Sequence, residues 1–385
     1  MKIAYHHRTR GLLAEGIHIR AIVEAFRKLG CHVDLLSLTA GAPGTTVLQP
    51  TTEASRAGHF AHKVLEALLP IVYNVPGILY LTFRLVRGQY DFLYERYALY
   101  NVSGWVASRV AGIPLVLEVN SPYAHEVAEY ATPLFPSLAR WTERFVLRRA
   151  ETVLTVSQVQ RDYLVSLGAA ADRTHVIPNG VDFDRFDHRK TGESVRNSLG
   201  LEDRKVVGFI GSLRTTHGIE IVLEALSRIG DDRPTFLVVG EGKDRQAIED
   251  AVGRHGLDRV IFTGGIPHEE APGYIAAMDI ALKPTSNFYC CPLKILEYMA
   301  MKVPVIAGYS PSVAEVIEDG VTGRIIATEA DAFRDAIDEM IHAPEQAEAM
   351  ATSAFHSIRD RSWIAIAERI LGVMGHDPAP DRGSK

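Results

Sequence analysis

The sequence predicts an α/β protein built from two doubly wound, Rossmann-like domains, each with a parallel sheet. Three observations lead there. At 385 residues the chain is too long for one ordinary hydrophobic core and suited to two. Short β-rich runs alternate with helical patterns, which implies parallel strands covered on both faces. The same alternation then restarts after a polar stretch at 187–202.

Taken in order, residues 2–5 read as a strand, 17–29 as an amphipathic helix ending at Gly30, and 32–38 as the next strand. The run 64–86, VLEALLPIVYNVPGILYLTFRLV, approaches a membrane span in length. Glu66, Pro70, Asn74 and Pro76 speak against a simple spanning helix. The expectation is a pair of helices packed in a domain core; the alternative is a segment dipping into one leaflet, flanked by Lys63 and by Arg84 and Arg87. A strand at 92–94, a helix at 102–110, a strand at 115–119, a helix at 137–149 and a strand at 152–156 follow.

The second half repeats the pattern. Strands are expected at 206–210, 235–239, 260–263, 280–283 and 304–307, and helices at 219–229, 243–255, 271–278 and 292–301. A last helix covers 363–374, and the tail 377–385 has a flexible composition. The domains are therefore set at 1–187 and 188–359. Ligands of such sheets bind beyond the carboxyl ends of the strands, so two facing sheets would place a site in the cleft between them.

Composition excludes several classes. A formal charge of −6 and a pI near 6.2 argue against a nucleic-acid binder held by counterion release. Cys31, Cys290 and Cys291 offer neither a disulfide framework nor a CxxC metal pair, and suit reduced thiols in a cytosol. The first residues run into His6-His7-Arg8, too short an apolar stretch for a signal peptide, so a cytoplasmic location is expected. Arg140, Arg144 and Arg148 recur every four residues beside Trp141 and Phe145. That reads either as a membrane-surface helix or as a solvated charged face, the latter because Glu143 interrupts it.

Two clusters carry chemistry. Val206 to Gly218 is a strand, a loop with Gly211 and Ser212, and a helix start; small residues there let the backbone approach a phosphate. Arg214 can add bidentate bonds to a diphosphate, and His217 can donate if protonated. A plain strand-to-helix turn has about even odds for this stretch taken alone. The second cluster, Asn287 to Ala300, places Lys294 and Glu297 three apart on one helix face after Pro292. Such pairs are usually solvated, yet the apolar neighbours Ile295, Leu296 and Met299 leave little polar surface. A carboxylate here can accept two ribose hydroxyls while the ammonium meets a diphosphate.

With these motifs in order, the chain resembles the retaining glycosyltransferase family four, of GT-B fold. The resemblance runs through Val176–Asp182 with Phe186, Gly211–Gly218, Val238–Gly242, Phe262–Gly264, Tyr274–Asp279, Pro292–Ala300 and Asp319–Gly323. It implies that Glu297 holds the donor ribose, that Arg214 and Lys294 face the diphosphate, and that residues 286–293, with Tyr289, Cys290, Pro292 and Leu293, wrap the sugar. Gly240 belongs to the donor site, and Gly264 to Pro267 lie against the base. The helix near 360–376 should cross back to the first domain. The departures are Tyr289 for the first glutamate of the family's pair, Ser212 and His217 for basic residues of the phosphate loop, and Asn120 where many members carry a histidine.

The first half should hold the acceptor. Gly16 and His18 lie at the first strand-to-helix passage, Asn120 at a strand end, with His125 and Glu126 after it. His18 and Asn120 join Arg214 and Lys294 as candidate catalytic residues, with an ordinary packing role as the alternative for His18 and a solvated one for Glu126. Glu95-Arg96 reads as a structural ion pair, and the donor-loop cysteines as packing residues. The expected partners are a nucleotide-sugar donor, with UDP favoured, and a saccharide, glycolipid or small-molecule acceptor. Peripheral contact with the inner face of a membrane fits the apolar run. No metal or other cofactor is expected. A soluble natural-product acceptor and a non-catalytic nucleotide-sugar binder are the competing readings; a dehydrogenase is disfavoured because neither half opens with GxGxxG.

Overall fold

The computed structural model describes residues 1–9, 14–38, 68–130, 135–230 and 232–376. The chain divides into two units: Met1–Pro178 with Ile366–Lys385, and Asn179–Ala365. Among the described residues each holds a six-stranded sheet whose named strands all pair in parallel.

In the first unit the strands are β1 Lys2–His6, β2 His32–Leu36, β3 Phe92–Arg96, β4 Leu115–Val119, β5 Thr152–Thr155 and β6 Thr174–Val176. Their order is β2-β1-β3-β4-β5-β6. In the second they are β7 Val206–Ile210, β8 Thr235–Val239, β9 Val260–Gly264, β10 Ile280–Lys283, β11 Val305–Gly308 and β12 Arg324–Ile326, in the order β12-β11-β10-β7-β8-β9. The central strands are buried on both faces, which is why they read as continuous apolar runs instead of alternating ones. Strand order reverses at β1 and at β7, so the loops leaving β1 and β3, and those leaving β7 and β10, diverge and open a crevice. These two switch points position the two candidate sites.

Several expectations need correction. The polar stretch 187–202 is not merely a linker: it carries the helix Glu193–Leu199, whose Arg196 pairs with Asp279 at 2.9 Å. Asp279 also accepts the Val206 N–H at 2.7 Å, so the stretch is anchored to the start of β7. The units divide at 178/179 and 365/366, instead of at 187/188 and 359/360. The physical reason lies in the backbone: Val181 N–H donates to the Arg361 carbonyl, and Asn179 Nδ2 to that of Cys291. The strands β6 and β12 are too short for periodicity to reveal. The tail 377–385 lies outside the described residues.

The apolar run departs most from expectation. Leu68–Gly88 forms one helical stretch, irregular at Tyr73, where Pro76 has no N–H to give the Val72 carbonyl. From Asn74 onward only Gly77, Leu81 and Leu85 are buried. Leu81 and Leu85 join a core with Leu93, Ala107, Leu115 and Val146, whereas Val72, Val75, Leu79, Phe83 and Val86 face outward. It is therefore not a pair of helices enclosed in a core. Lys63 and Glu66 lie outside the described residues.

Candidate functional site

The β7 crevice brings together most of the expected donor residues. Gly211 N–H donates to the Val239 carbonyl at 2.9 Å and Leu213 N–H to that of Glu241 at 3.0 Å, lacing the loops after β7 and β8. The approach is so close that a Cβ on Gly240, which has φ +137°, would lie 1.9 Å from the Gly211 carbonyl oxygen. Glycine is required there. Gly240 N–H in turn bonds the Gly264 carbonyl at 3.0 Å, bringing in the loop after β9. Gly218, at φ +72°, starts the helix Ile219–Ser227, and Thr285 Oγ1 donates to the Thr216 carbonyl at 2.7 Å. Loops after all four strands thus meet at one end of the sheet.

Among the described residues the exposed Arg214 guanidinium makes no hydrogen bond or ion pair, so it is available to an anion. His217 differs from expectation. Its Nδ1–H donates to the Ser212 carbonyl at 2.7 Å. Burial foremost, and then the nearby Lys283 charge, hold it below the ordinary histidine value of 6.5. The ring is neutral near pH 7, with Nε2 left as an acceptor; an anion bound beside it would favour its protonation.

The helix Leu293–Ala300 starts at Pro292 and is fastened to β7 by Tyr298, whose hydroxyl accepts the Ile210 N–H at 3.1 Å. Glu297 is buried, while Lys294 keeps 30 % of its side chain exposed and bonds Glu297 Oε2 at 2.8 Å. His268 Nε2 lies 3.7 Å from Oε1. Arg185 donates to His268 Nδ1, which places the ring proton on Nε2, toward the carboxylate. Burial by itself would raise the Glu297 pKa, but Lys294 and His268 outweigh it and hold the group below its ordinary 4.5. The carboxylate is ionised, with acceptor capacity left beyond the Lys294 bond.

Other donor-loop residues turn inward. Tyr289 is buried, its hydroxyl accepting from Asn287 Nδ2 at 2.7 Å, so its side chain packs the loop and does not line an open site. Cys290 Sγ contacts the Asn287 carbonyl, and burial pushes the Cys291 thiol up to about 11. Neither thiol is poised as a nucleophile. Leu293 stays half-buried at the helix start.

Sequence reading missed Lys283, His268 and Arg185. Lys283 ends β10 and donates to the Thr285 carbonyl; burial lowers its pKa against the opposing pull of Cys290. An ionisable residue closing the apolar strand Ile280–Lys283 was the available signal. His268 and Arg185 carry none, because only the fold brings them to Glu297.

In the first unit a buried network occupies the β1/β3 switch point. Helix Ala14–Lys28 starts earlier than expected and carries Gly16 and His18 within it. Arg96 Nη1 donates to His18 Nδ1 at 3.2 Å, and His18 Nε2 lies 3.4 Å from Glu118. Tyr94 donates to Glu118 at 2.9 Å. Both His18 nitrogens are thus engaged. Glu95 and Arg96 are not an ion pair: neighbours on a strand point to opposite faces. Glu95 instead meets His6 Nδ1 at 2.6 Å and Asn101 Nδ2 at 2.8 Å, while Arg96 meets Glu118. Glu126 accepts from Ser121, and the His125 ring sits edge-on to Tyr163 at 5.7 Å.

Among the described residues, Arg8 Nη1, Arg96 Nε and Asn120 Nδ2 are buried with no hydrogen-bond partner. They belong to residues at or just beyond the carboxyl ends of β1, β3 and β4. Buried donors are normally satisfied. Three spare donors at a switch point suit an oxygen-rich ligand.

Comparison with known proteins matches one family model to each half of the chain. The family described as Glycosyltransferase Family 4 matches residues 16–185, and that described as Glycosyl transferases group 1 matches 204–343. An α-D-kanosaminyltransferase of Streptomyces kanamyceticus is 31 % identical over 262 residues, 65 % of this chain and 67 % of that protein. A GDP-mannose-dependent α-(1-6)-phosphatidylinositol monomannoside mannosyltransferase of Mycolicibacterium smegmatis is 30 % identical over 269 residues, 66 % of this chain and 69 % of that protein. The crystal structure of Anabaena HepE in complex with UDP-glucose superimposes with a TM-score of 0.73 at 21 % identity, covering 97 % of this chain and 99 % of that one.

Proposed function

This chain belongs to glycosyltransferase family 4, a GT-B glycosyltransferase, and from that premise we propose that it transfers a sugar, with retention of configuration, from a UDP-sugar to a hydroxyl of a lipid-linked saccharide used in surface polysaccharide assembly, at the cytoplasmic face of a membrane. The observation that carries the donor half is the convergence at the β7 crevice of an unpaired Arg214 with the buried, ionised Glu297 and its partner Lys294. Glu297 accepts the ribose hydroxyls. Arg214 and Lys294 meet the diphosphate and stabilise the charge that grows on it.

Transfer proceeds on one face of the sugar. The bond from the anomeric carbon to the β-phosphate oxygen breaks as the acceptor oxygen bonds the same face. The acceptor proton passes to the departing phosphate oxygen, which ends as UDP. The two cations neutralise the leaving group, so no divalent metal is required. Asn120, Arg96 and Arg8 hold the acceptor through their spare donors, with His18 fixing Arg96 and Glu118. Uridine is favoured because a protein of this fold has been crystallised with UDP-glucose.

Thermal unfolding with UDP, GDP, ADP and TDP, each with and without EDTA, tests the donor half. A shift with UDP, indifferent to EDTA, is expected. A shift with GDP instead would change the base and keep the reaction; no shift with any nucleotide would end the proposal, and loss of the shift in EDTA would restore a metal. The mannosyltransferase relative is named for a phosphatidylinositol glycolipid acceptor, whereas the kanosaminyltransferase is named for the group it transfers and leaves the acceptor open. Turnover on a lipid-linked saccharide but not on its soluble headgroup supports the membrane-held acceptor, and the reverse supports a small molecule.

A further inference from the structure

We propose that the outward face of Leu68–Gly88, together with that of the helix Pro136–Arg149, docks on an anionic lipid bilayer. The inference rests on the reading of a membrane-held acceptor for its purpose, while its evidence is the surface itself. Val72, Val75, Leu79, Phe83 and Val86 recur at three- and four-residue steps and form one apolar stripe roughly 21 Å long. Val75 is 66 % and Leu79 68 % exposed. A stripe of that size on a soluble domain marks an interaction surface.

The segment is long and apolar enough to cross a membrane, but its anchorage prevents that. Leu81 and Leu85 are committed to the domain core, and Asn74 is tied on three sides. Asn74 Nδ2 donates to the Ile71 and Tyr100 carbonyls at 2.9 and 2.8 Å, and Oδ1 accepts the Val102 N–H at 2.8 Å. A helix so held can lie in an interface with its apolar face submerged by about 5–10 Å.

Charge identifies the partner. Gly77 packs on Ser103 of the helix Ser103–Ala111, and Trp105 of that helix meets Phe145 edge-to-face at 4.8 Å. The three helices therefore form one layer in this unit. Arg140, Arg144, Arg148 and Arg149 are exposed on it, beside Trp141, which is 57 % exposed. Arg87 lies 4.1 Å from the Phe83 ring, at the end of the stripe. Glu143, which interrupts the basic pattern in the sequence, is buried and accepts the Ala124 N–H at 3.2 Å. Its inward turn leaves the outer face of that helix basic. No acidic residue occurs in 68–88. An apolar stripe edged by arginines and an exposed tryptophan complements anionic headgroups above acyl chains. A second copy of the chain would set arginines against arginines.

The test is co-sedimentation of the full chain with phosphatidylcholine vesicles, with and without phosphatidylglycerol, in the absence of donor and acceptor. Binding to the anionic vesicles, weakening with salt, is expected. Leu79→Glu with Phe83→Glu should lower partitioning on the order of a hundredfold. Arg140→Ala, Arg144→Ala and Arg148→Ala together should lower it about fivefold per arginine. Absent binding, binding that survives both variants, or a wild-type dimer that Leu79→Glu makes monomeric would each overturn the proposal. The nucleotide-dependent melting shift, read in the same variants, should persist because the altered residues lie outside the donor unit. Its absence in the wild type would sink the donor reading while leaving the vesicle result to be judged separately.

Discussion

Replacing Glu297 by glutamine keeps the side chain's shape and removes the charge on which the donor site depends. In the free protein the cost is modest. Lys294 loses a 2.8 Å partner but is 30 % exposed and can be hydrated, so about 1 kcal/mol is expected. At roughly 2–4 °C per kcal/mol for a domain of this size, the melt falls by a few degrees. The ligand-bound protein should change far more. UDP at about 100 times its dissociation constant adds roughly 2.7 kcal/mol, a rise of about 5–10 °C. Hydroxyl bonds to a carboxylate contribute about 1.5–3 kcal/mol each against about 0.5–1.5 for neutral ones, so two bonds that lose the charge cost about 2–3 kcal/mol and weaken binding on the order of a hundredfold. The same UDP concentration then equals the new dissociation constant and adds only about 0.4 kcal/mol. Differential scanning fluorimetry near pH 7 reads both numbers. Because the folded pKa of Glu297 is held below 4.5, its contribution is complete above that value and fades only as the pH falls below it. A Glu297→Gln protein that keeps the full UDP shift would refute the assignment of the ribose to this carboxylate.

Arg214→Ala should leave the melt within about 0.5 kcal/mol, since the side chain is exposed and unpaired, yet reduce kcat/KM about 10²–10³-fold; unimpaired turnover would remove it from the diphosphate. Gly240→Ala should destabilise by about 3 kcal/mol or more and abolish nucleotide binding, because its Cβ would meet the Gly211 carbonyl. Gly253→Ala, in the helix Arg245–Arg254 with open space around it, should be neutral or stabilising by up to about 1 kcal/mol; melts of the two variants check this. His7 is held at about 4, by burial foremost and then by His6, so the unfolded chain takes up its proton first. Stability should be complete above the ordinary 6.5 and decline as the pH falls from there toward 4, by at most about 1.4 kcal/mol per unit. His7→Phe should flatten that decline in urea titrations, and an unchanged slope would show that His7 does not cause it.

Much of the candidate donor site is legible because it is local. Gly211 and Arg214 follow one strand, Gly240 follows another, and Lys294 and Glu297 share one helical turn, so spacing picks them out, while the phosphate-loop and ribose roles come from the resemblance to the family. His268 and Arg185 could not be read this way, since they reach Glu297 only through the fold. The Glu95-Arg96 reading failed for a related reason: adjacency in sequence suggests a pair, whereas strand geometry sends the two side chains to different partners.

Hydrophobic periodicity, turn residues and length are by themselves enough to determine two parallel-sheet α/β domains and the strand ends where ligands bind, because those features express local backbone geometry and the need to bury apolar runs. Which side of an apolar or charged helix meets the core is a different kind of fact. Only tertiary packing decided that Leu81 and Leu85 turn inward while Leu79 and Phe83 face out, and that Glu143 is buried, leaving the arginines around it exposed. A helix with apolar residues on nearly every side can bury only the face that finds a partner, and that partner, here strands and helices distant in the chain, is absent from any local window of sequence.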